Sequence, residues 1–209
     1  MSALLILGGG GNGRVIADIA ASDPSTGWDR IAFLDDSLPV GSSIDSWKVI
    51  GACSELPEVA SEFSAMVIGF GDNALRHEWV ERSTKSGLEL ATIIAPSAMV
   101  SSRAVLGAGT VVMPQGVVNI GSRLGSGCLV NTGATIDHDC HLGHSVHIAP
   151  GAHLGGDVRV GDRSWIGIGA SVRHGVVIGR DVMVGAGAAV VSDLPDECTA
   201  VGVPARTRG

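Results

Sequence analysis

The stretch LGSGCLVNTGATIDHDCHLGHSVHIAPGAHLGGDVRV (residues 124–160) places an aliphatic side chain at every sixth position. Counting outward from it, the run continues without a miss over seventeen positions: Ile94, Val100, Leu106, Val112, Val118, Leu124, Val130, Ile136, Leu142, Ile148, Leu154, Val160, Ile166, Val172, Ile178, Val184 and Val190. A period of six matches neither the 3.6-residue repeat of a helix nor the two-residue alternation of a strand. The chain is therefore expected to wind as a solenoid, with one hexapeptide on each face and the aliphatic residues stacked inside. Glycine often follows the aliphatic directly, as at Gly107, Gly125, Gly143, Gly155, Gly161, Gly167, Gly179 and Gly185, where it is expected to ease the corners. Two positions before each aliphatic stands a small or β-branched residue such as Ala104, Ser122, Cys128, Ala134, Ala152 or Ala170. The segment PQGVVNIGSRLG (114–125) keeps the period but has no glycine after Val112 or Val118, which leaves room for an irregular turn.

Composition agrees with a tightly wound backbone. The 209 residues are 45% hydrophobic and 17% charged, which excludes a disordered chain, yet aromatics are 3%, tyrosine is absent and glycine occurs 31 times. The net charge of −7 and pI near 5.4 argue against a nucleic-acid or anionic-membrane partner, since both need a basic excess. Cys53, Cys128, Cys140 and Cys198 form no CxxC pair, and the opening MSALLILGGG has neither the charged leader nor the cleavage site of a signal peptide. A cytoplasmic location with reduced thiols is expected. No apolar run is long enough to span a bilayer.

Residues 1–94 follow a different pattern, which sets them apart as a small domain before the solenoid of residues 95–209. Short aliphatic runs at 4–7, 31–36, 65–70 and 88–94 alternate with amphipathic segments at 14–21 and 73–84. The expected order is strand, helix, strand, strand, helix, strand, giving a small, mostly parallel α/β sheet. Within it LILGGGGNGRVIADIA (5–20) satisfies GxGxxG through Gly8, Gly10 and Gly13 between a strand and a helix, and Asp35 and Asp36 end the next strand. Taken alone this favours a dinucleotide site of Rossmann type. Some ninety residues are too few for the full doubly wound sheet, and a plain strand-to-helix turn is the other reading.

Five of the seven histidines lie between Ile136 and His153. His141, His147 and His153 occupy equivalent hexad positions on three faces in turn, and for His141, His144 and His153 polar surface residues are the simplest reading. A zinc site would need neutral imidazoles that converge, as in solenoid carbonic anhydrases, and no histidine stands between His77 and His138 to supply an earlier ligand. No metal is expected. His138 differs, because Asp137 and Asp139 flank it. A carboxylate that accepts from one imidazole nitrogen holds the tautomer and raises the basicity of the other, as a general base requires.

These features together resemble the left-handed parallel β-helix acyltransferases with hexapeptide repeats. Within that group, VNTGATIDHDCHLGHSVHIAPGAHLGG (130–156) resembles the N-acetyltransferases of nucleotide-linked amino sugars in bacillosamine, perosamine and sialic-acid pathways. The resemblance implies three faces per coil of about eighteen residues and left-handed crossovers, an exception to the usual right-handed rule. It also implies a homotrimer. The activity it implies is transfer of acetyl from acetyl-CoA to the amine of a UDP- or GDP-linked 4-amino-4,6-dideoxy sugar, in the biosynthesis of a cell-surface polysaccharide. His138 is implied to be the base and Asp139 its partner, Asn131 to meet the substrate, and His147, Gly156, Ile168 and Ala186 to meet acetyl-CoA. The Gly-rich turn at Gly11, Asn12 and Gly13 is implied to receive the diphosphate, as helix N-termini do, with Asp35 and Asp36 near the base or ribose. In IGFGDNALRHEW (68–79), Gly71, Asn73 and Arg76 are implied to line the sugar-nucleotide cleft, although Asn73 also reads as a helix cap. The ending Gly202-Val203-Pro204-Ala205-Arg206 resembles the tail beside CoA, with Arg206 on a phosphate. A sialic-acid O-acetyltransferase shares nearly all these motifs and is the main alternative, followed by the zinc enzyme.

Overall fold

The structure, a computed structural model, describes residues 2–23, 27–83 and 86–208. The chain divides into two compact units, Met1–Ile93 and Ile94–Gly209.

In the first unit, β1 (Ala3–Leu7) is buried along its whole length. It pairs in parallel with β2 (Arg30–Leu34) on one side and β5 (Ala65–Ile68) on the other, so neither edge is open, and because both faces are buried as well the sequence reads as an unbroken apolar run. Helix α1 (Gly11–Ser22) links β1 to β2 and buries Ile16, Ala17, Ile19 and Ala20. Two further strands, β3 (Ser43–Ile44) and β4 (Trp47–Gly51), form a hairpin whose second strand runs parallel to β2. A short helix α2 (Leu56–Val59) follows. Helix α3 (Asn73–Ser83) leads to β6 (Glu89–Leu90), and the sheet order is β3-β4-β2-β1-β5-β6. The hairpin is absent from the sequence reading because β3 has only two residues and its turn is set by Asp45 at φ 54°, neither of which leaves a periodic signal. The expected single strand over 88–94 is two strands, Glu89–Leu90 and Ile93–Ile94. The expected helix over 73–84 ends at Ser83, and Thr84 lies outside the described residues.

The second unit is a left-handed parallel β-helix. Every aliphatic of the six-residue series from Val100 to Val190 is the second residue of a two-residue strand. Pairing runs from residue i to i+18, as in Val118↔Ile136, Ile136↔Leu154 and Leu154↔Val172, so three hexapeptides close one coil. From Val112 onward the series is buried in one continuous core. Val100 and Leu106, in the first coil, are only partly buried, and Ile94 is exposed, because no preceding coil stacks on them. The small residues two positions earlier fill the inner corners. Where they are polar they are satisfied by the coil itself: Ser122 Oγ donates to the Asp137 carbonyl at 2.7 Å, Ser164 Oγ to Gly179 at 2.7 Å and Cys140 Sγ to Gly155 at 3.2 Å.

The glycines fall into two classes, which corrects the sequence reading. The bend itself lies three residues after each aliphatic, where φ is positive at every sixth residue from Gly109 to Gly187. Six of these left-handed positions hold other residues, Gln115, Asp139, Ser145, Asp157, Arg163 and Asp181. The glycine directly after the aliphatic has a different cause. An ideal Cβ at Gly161 would stand 2.5 Å from the Arg180 amide nitrogen of the next coil, so the side chain is excluded by backbone packing. In the segment 114–125 Gln115 takes the left-handed position at φ 60° and Met113 is buried after Val112, so the turn expected to be irregular keeps the register.

The two classes predict unequal costs. Gly175→Ala, at φ 71° with open space around the new methyl, is expected to lose about 1 kcal/mol, the strain of a left-handed alanine. Gly161→Ala must push two coils apart and is expected to lose about 3 kcal/mol. Denaturant unfolding of the two variants beside the parent checks the order.

Candidate active site

His138 sits at the corner that follows the strand Thr135–Ile136, with its side chain 56% exposed. Asp139 takes the left-handed bend at φ 60°, a conformation that aspartate tolerates better than most side chains. That bend turns its carboxylate back on the neighbouring ring, and Oδ2 lies 2.9 Å from His138 Nδ1. Opposite an ionised carboxylate Nδ1 can only donate, which leaves the lone pair on Nε2. The hydrogen bond to Asp139 pushes the His138 pKa up, helped by the charges of Asp137 and Asp157 and opposed by desolvation. Because the folded value is raised, any stability from this pair is present below the ordinary histidine pKa and is lost as pH rises through the folded value. Asp137 Oδ1 accepts from Asn119 Nδ2 at 3.0 Å and from the His138 amide at 2.8 Å, and both hold its carboxyl below the usual range.

Two glycines make room for this pair. An ideal Cβ at Gly156, one coil beyond His138, would come 2.5 Å from Cε1 and Nε2 of the imidazole. One at Gly121, a coil before, would run into Asp139 Oδ1. Gly156 therefore shares the corner of His138.

Asn131, His147, Ile168 and Ala186 belong elsewhere on the coil. His147 lies in the sheet that carries Leu129 and Trp165, and Asn131 follows Leu129–Val130. This is a different corner from that of His138, so within one chain the structure does not bring the two groups together. Asn131 Oδ1 accepts from the Thr132 amide at 2.8 Å, which orients its Nδ2 toward His147 Nε2 at 3.1 Å. The buried His147 ring packs on Trp165 with centroids 4.4 Å apart. Ile168 and Ala186 are exposed on the same corner, joined by the Gly187 amide donating to the Ile168 carbonyl. Arg206 lies in the strand Arg206–Arg208, which pairs antiparallel with Thr199–Val201, and its Nη1 donates to the Ala205 carbonyl. His141, His147 and His153 stand in three different sheets. Among the described residues no group of three or more His, Cys, Asp or Glu is disposed to hold a metal ion, and no helix is long and apolar enough to cross a membrane.

The first unit has a cleft of about 620 Å³ at the Gly-rich turn, lined in part by Gly10, Gly11, Asn12, Asp35, Asp36 and Gly71. Helix α1 begins there with no side-chain cap, and its first turn has no acidic residue. Its leading amides are thus aimed outward with a favourable dipole for an anion. Gly13 is buried instead, because a Cβ there would run into the Gly8 carbonyl, so its part is close packing rather than contact. Asp35 braces the turn: Oδ2 accepts from the Gly9 amide at 2.6 Å, and Oδ1 accepts from Ser37 and Leu38. Burial works to raise its pKa, yet these bonds prevail and the pKa is lowered. Asp36 Oδ1 accepts from the Cys53 amide at 2.8 Å. Asn73 and Arg76 do not line the cleft. Arg76 is fully buried, with Nη1 donating to the carbonyls of Phe70 and Gly71 and Nη2 to Asn73 Oδ1 at 2.6 Å, so the pair shapes the loop that presents Gly71. The first turn of α3 is capped by Asp72, whose Oδ1 accepts from the Leu75 amide, and not by Asn73. Phe70, Ser37 and Leu75 also line the cleft and carried no signal in the sequence.

Two outcomes follow for His138. An NMR titration is expected to put the His138 pKa above the ordinary value near 6.5, and Asp139→Asn to return it toward that value. Gly156→Ala is expected to displace the imidazole and lower the same pKa, while circular dichroism of the β-helix stays unchanged.

Comparison with known proteins places this geometry. The family model described as the PglD N-terminal domain matches residues 3–83, and that of the bacterial transferase hexapeptide (six repeats) matches 157–191. The acetyltransferase domain of PglB from Neisseria gonorrhoeae FA1090, solved in complex with acetyl coenzyme A, is 42% identical, with 99% of this chain and 98% of that one covered at a TM-score of 0.93. PerB from Caulobacter crescentus, solved with CoA and GDP-perosamine, is 37% identical over 100% of this chain and 98% of that one, at a TM-score of 0.93. WeeI from Acinetobacter baumannii AYE shares the fold, at 24% identity over the full length of both chains and a TM-score of 0.90. Comparison with curated protein sequences gave no match. Identity of this level over the full length shows that the chain belongs to the family of hexapeptide-repeat nucleotide-sugar N-acetyltransferases built on a PglD-type N-terminal domain.

Proposed function

We propose that this protein transfers acetyl from acetyl-CoA to the amino group of a UDP- or GDP-linked 4-amino-4,6-dideoxy sugar. The observation that carries the reading is the His138–Asp139 pair, a solvent-facing imidazole held in one tautomer at 2.9 Å from a carboxylate. The relatives that bind acetyl coenzyme A and GDP-perosamine support the choice of substrates. His138 Nε2 takes a proton from the sugar amine as its nitrogen attacks the thioester carbonyl. The C–N bond forms, the C–S bond breaks, and the proton leaves with the CoA sulfur. No covalent enzyme intermediate is needed, and burial raises the thiol pKa of Cys140, the cysteine nearest the base in sequence.

The active form in this reading is a homotrimer in the cytoplasm. Separate corners for His138 and for the Asn131–His147 group support assembly, since a neighbouring copy can present the second corner to the first. Asn131, His147, Gly156, Ile168, Ala186 and Arg206 then contact acetyl-CoA or the sugar at that junction. The uncapped start of α1 at Gly11 and Asn12 receives the diphosphate, with Asp36 nearby. The four free cysteines accord with a reducing compartment.

A thiol-release assay with acetyl-CoA against UDP- and GDP-linked amino sugars and free sialic acid tests the reading. One nucleotide-linked amine is expected to turn over, and His138→Ala to lose on the order of 10²–10⁴-fold in kcat. The rate should fall as pH drops through the raised His138 pKa, because only the neutral imidazole accepts a proton, and Asp139→Asn should move that limb to lower pH with a smaller plateau. Turnover of sialic acid alone would overturn the assignment in favour of O-acetylation.

A further inference from the structure

The coil that precedes the base carries a set of contacts that the proposed mechanism has not used. In register with Asp137, one coil earlier, stands Asn119, whose amide donates to the Ile136 carbonyl at 3.0 Å. Its side-chain Nδ2 donates to Asp137 Oδ1 at 3.0 Å, the same oxygen that accepts from the His138 amide at 2.8 Å. Three residues on, Ser122 Oγ donates to the Asp137 carbonyl at 2.7 Å and accepts from the Cys140 amide at 3.1 Å. Between them, Gly121 leaves the space that Asp139 Oδ1 occupies. The run Asn119-Ile120-Gly121-Ser122 thus holds the turn 137–140 at its first carboxylate, its first carbonyl and its last amide.

We propose that Asn119 is a positioning residue for acetyl transfer, fixing the Asp137 carboxylate and the His138 peptide so that the imidazole keeps one direction and one tautomer. The inference rests on the assignment of His138 as the base. Neither Asn119 nor Ser122 touches the imidazole, and each acts through the backbone or a carboxylate. The charged groups around His138 are Asp139 on Nδ1, Asp137 in the same turn and Asp157 in the next coil, while His141 meets the turn only through the Asp139 carbonyl, 3.1 Å from its Nδ1. Of the three carboxylates, Asp137 is the one whose orientation a side chain of another coil sets. Loss of that anchor frees Asp137 to turn toward solvent, weakens its pull on the imidazolium and lets the ring swing.

Asn119→Ala is the test, read in two ways. In the pure protein without substrate, the His138 NMR titration is expected to move to lower pH. In the thiol-release assay, kcat is expected to fall roughly tenfold to hundredfold, as small misplacements of a reacting group do, with KM for both substrates within about twofold and the acid limb displaced in the direction of the titration. Asn119→Leu keeps nearly the same volume, removes the donor and adds no charge, so it should lose kcat as the alanine variant does, and it reads out the same role if the alanine variant fails to fold. An unmoved titration in a folded Asn119→Ala variant, or full kcat in Asn119→Leu, overturns the proposal. Absence of turnover with every amine tried would refute the acetyltransferase reading alone, because the titration decides the role of Asn119 without any substrate.

Discussion

The parallel pairing of each residue with the one eighteen places further on is the constraint on which the second unit depends. Backbone amides and carbonyls of successive coils satisfy one another along three sheets, and that pattern is kept only if every coil has the same length. Equal length in turn requires an inward aliphatic at every sixth residue, a bend three residues later and no Cβ where two coils touch. Insertion of a single residue would turn an aliphatic outward and a polar group inward. The composition follows from this: large aromatics have no place in so narrow a core, and glycine is needed wherever backbone meets backbone.

The same register arranges the chemistry. Residues eighteen apart stack at one corner, so a site here is a column and not a pocket. His138 with Gly156 beyond it and Asn119 with Asp137 are both pairs of this kind. The left-handed bend, which glycine fills in most hexads, is taken by Asp139 in the turn that carries His138, and the fold thereby accepts backbone strain at the point where the carboxylate faces the ring. A bend occupied by glycine would keep the coil and lose the carboxylate.

The first unit obeys a different constraint, the sharp passage from β1 into α1. Gly13 allows the helix to approach the Gly8 carbonyl, and Asp35, which the glycine fingerprint suggests as a ribose ligand, has both its oxygens committed to the turn. Arg76 does for the loop after β5 what Asp35 does for the loop after β1, since its guanidinium gathers carbonyls that would otherwise point apart. A pattern familiar from dinucleotide folds thus describes a scaffold, and the amides that start α1 are left without a side-chain cap.

Much of this was legible without coordinates. The six-residue series, the parallel sheet of the first unit and the His138–Asp139 pair are all local or strictly periodic, and periodic packing leaves its period in the sequence. The hairpin of β3 and β4 left no trace, because the two residues of β3 carry too few side chains to show alternation. Asn73 and Arg76 could not be distinguished from cleft residues, since a buried arginine that binds carbonyls has the same letters as an exposed one that binds phosphate. The separate corners of His138 and His147, nine residues apart, are likewise a matter of where the chain turns. The sequence by itself determined the repeat and therefore a solenoid, because an inward aliphatic at each sixth residue fits neither the helical nor the strand period. Only the tertiary structure decided which polar side chains serve the scaffold and which face a cleft or solvent, because that depends on the neighbours that packing supplies from distant coils and strands.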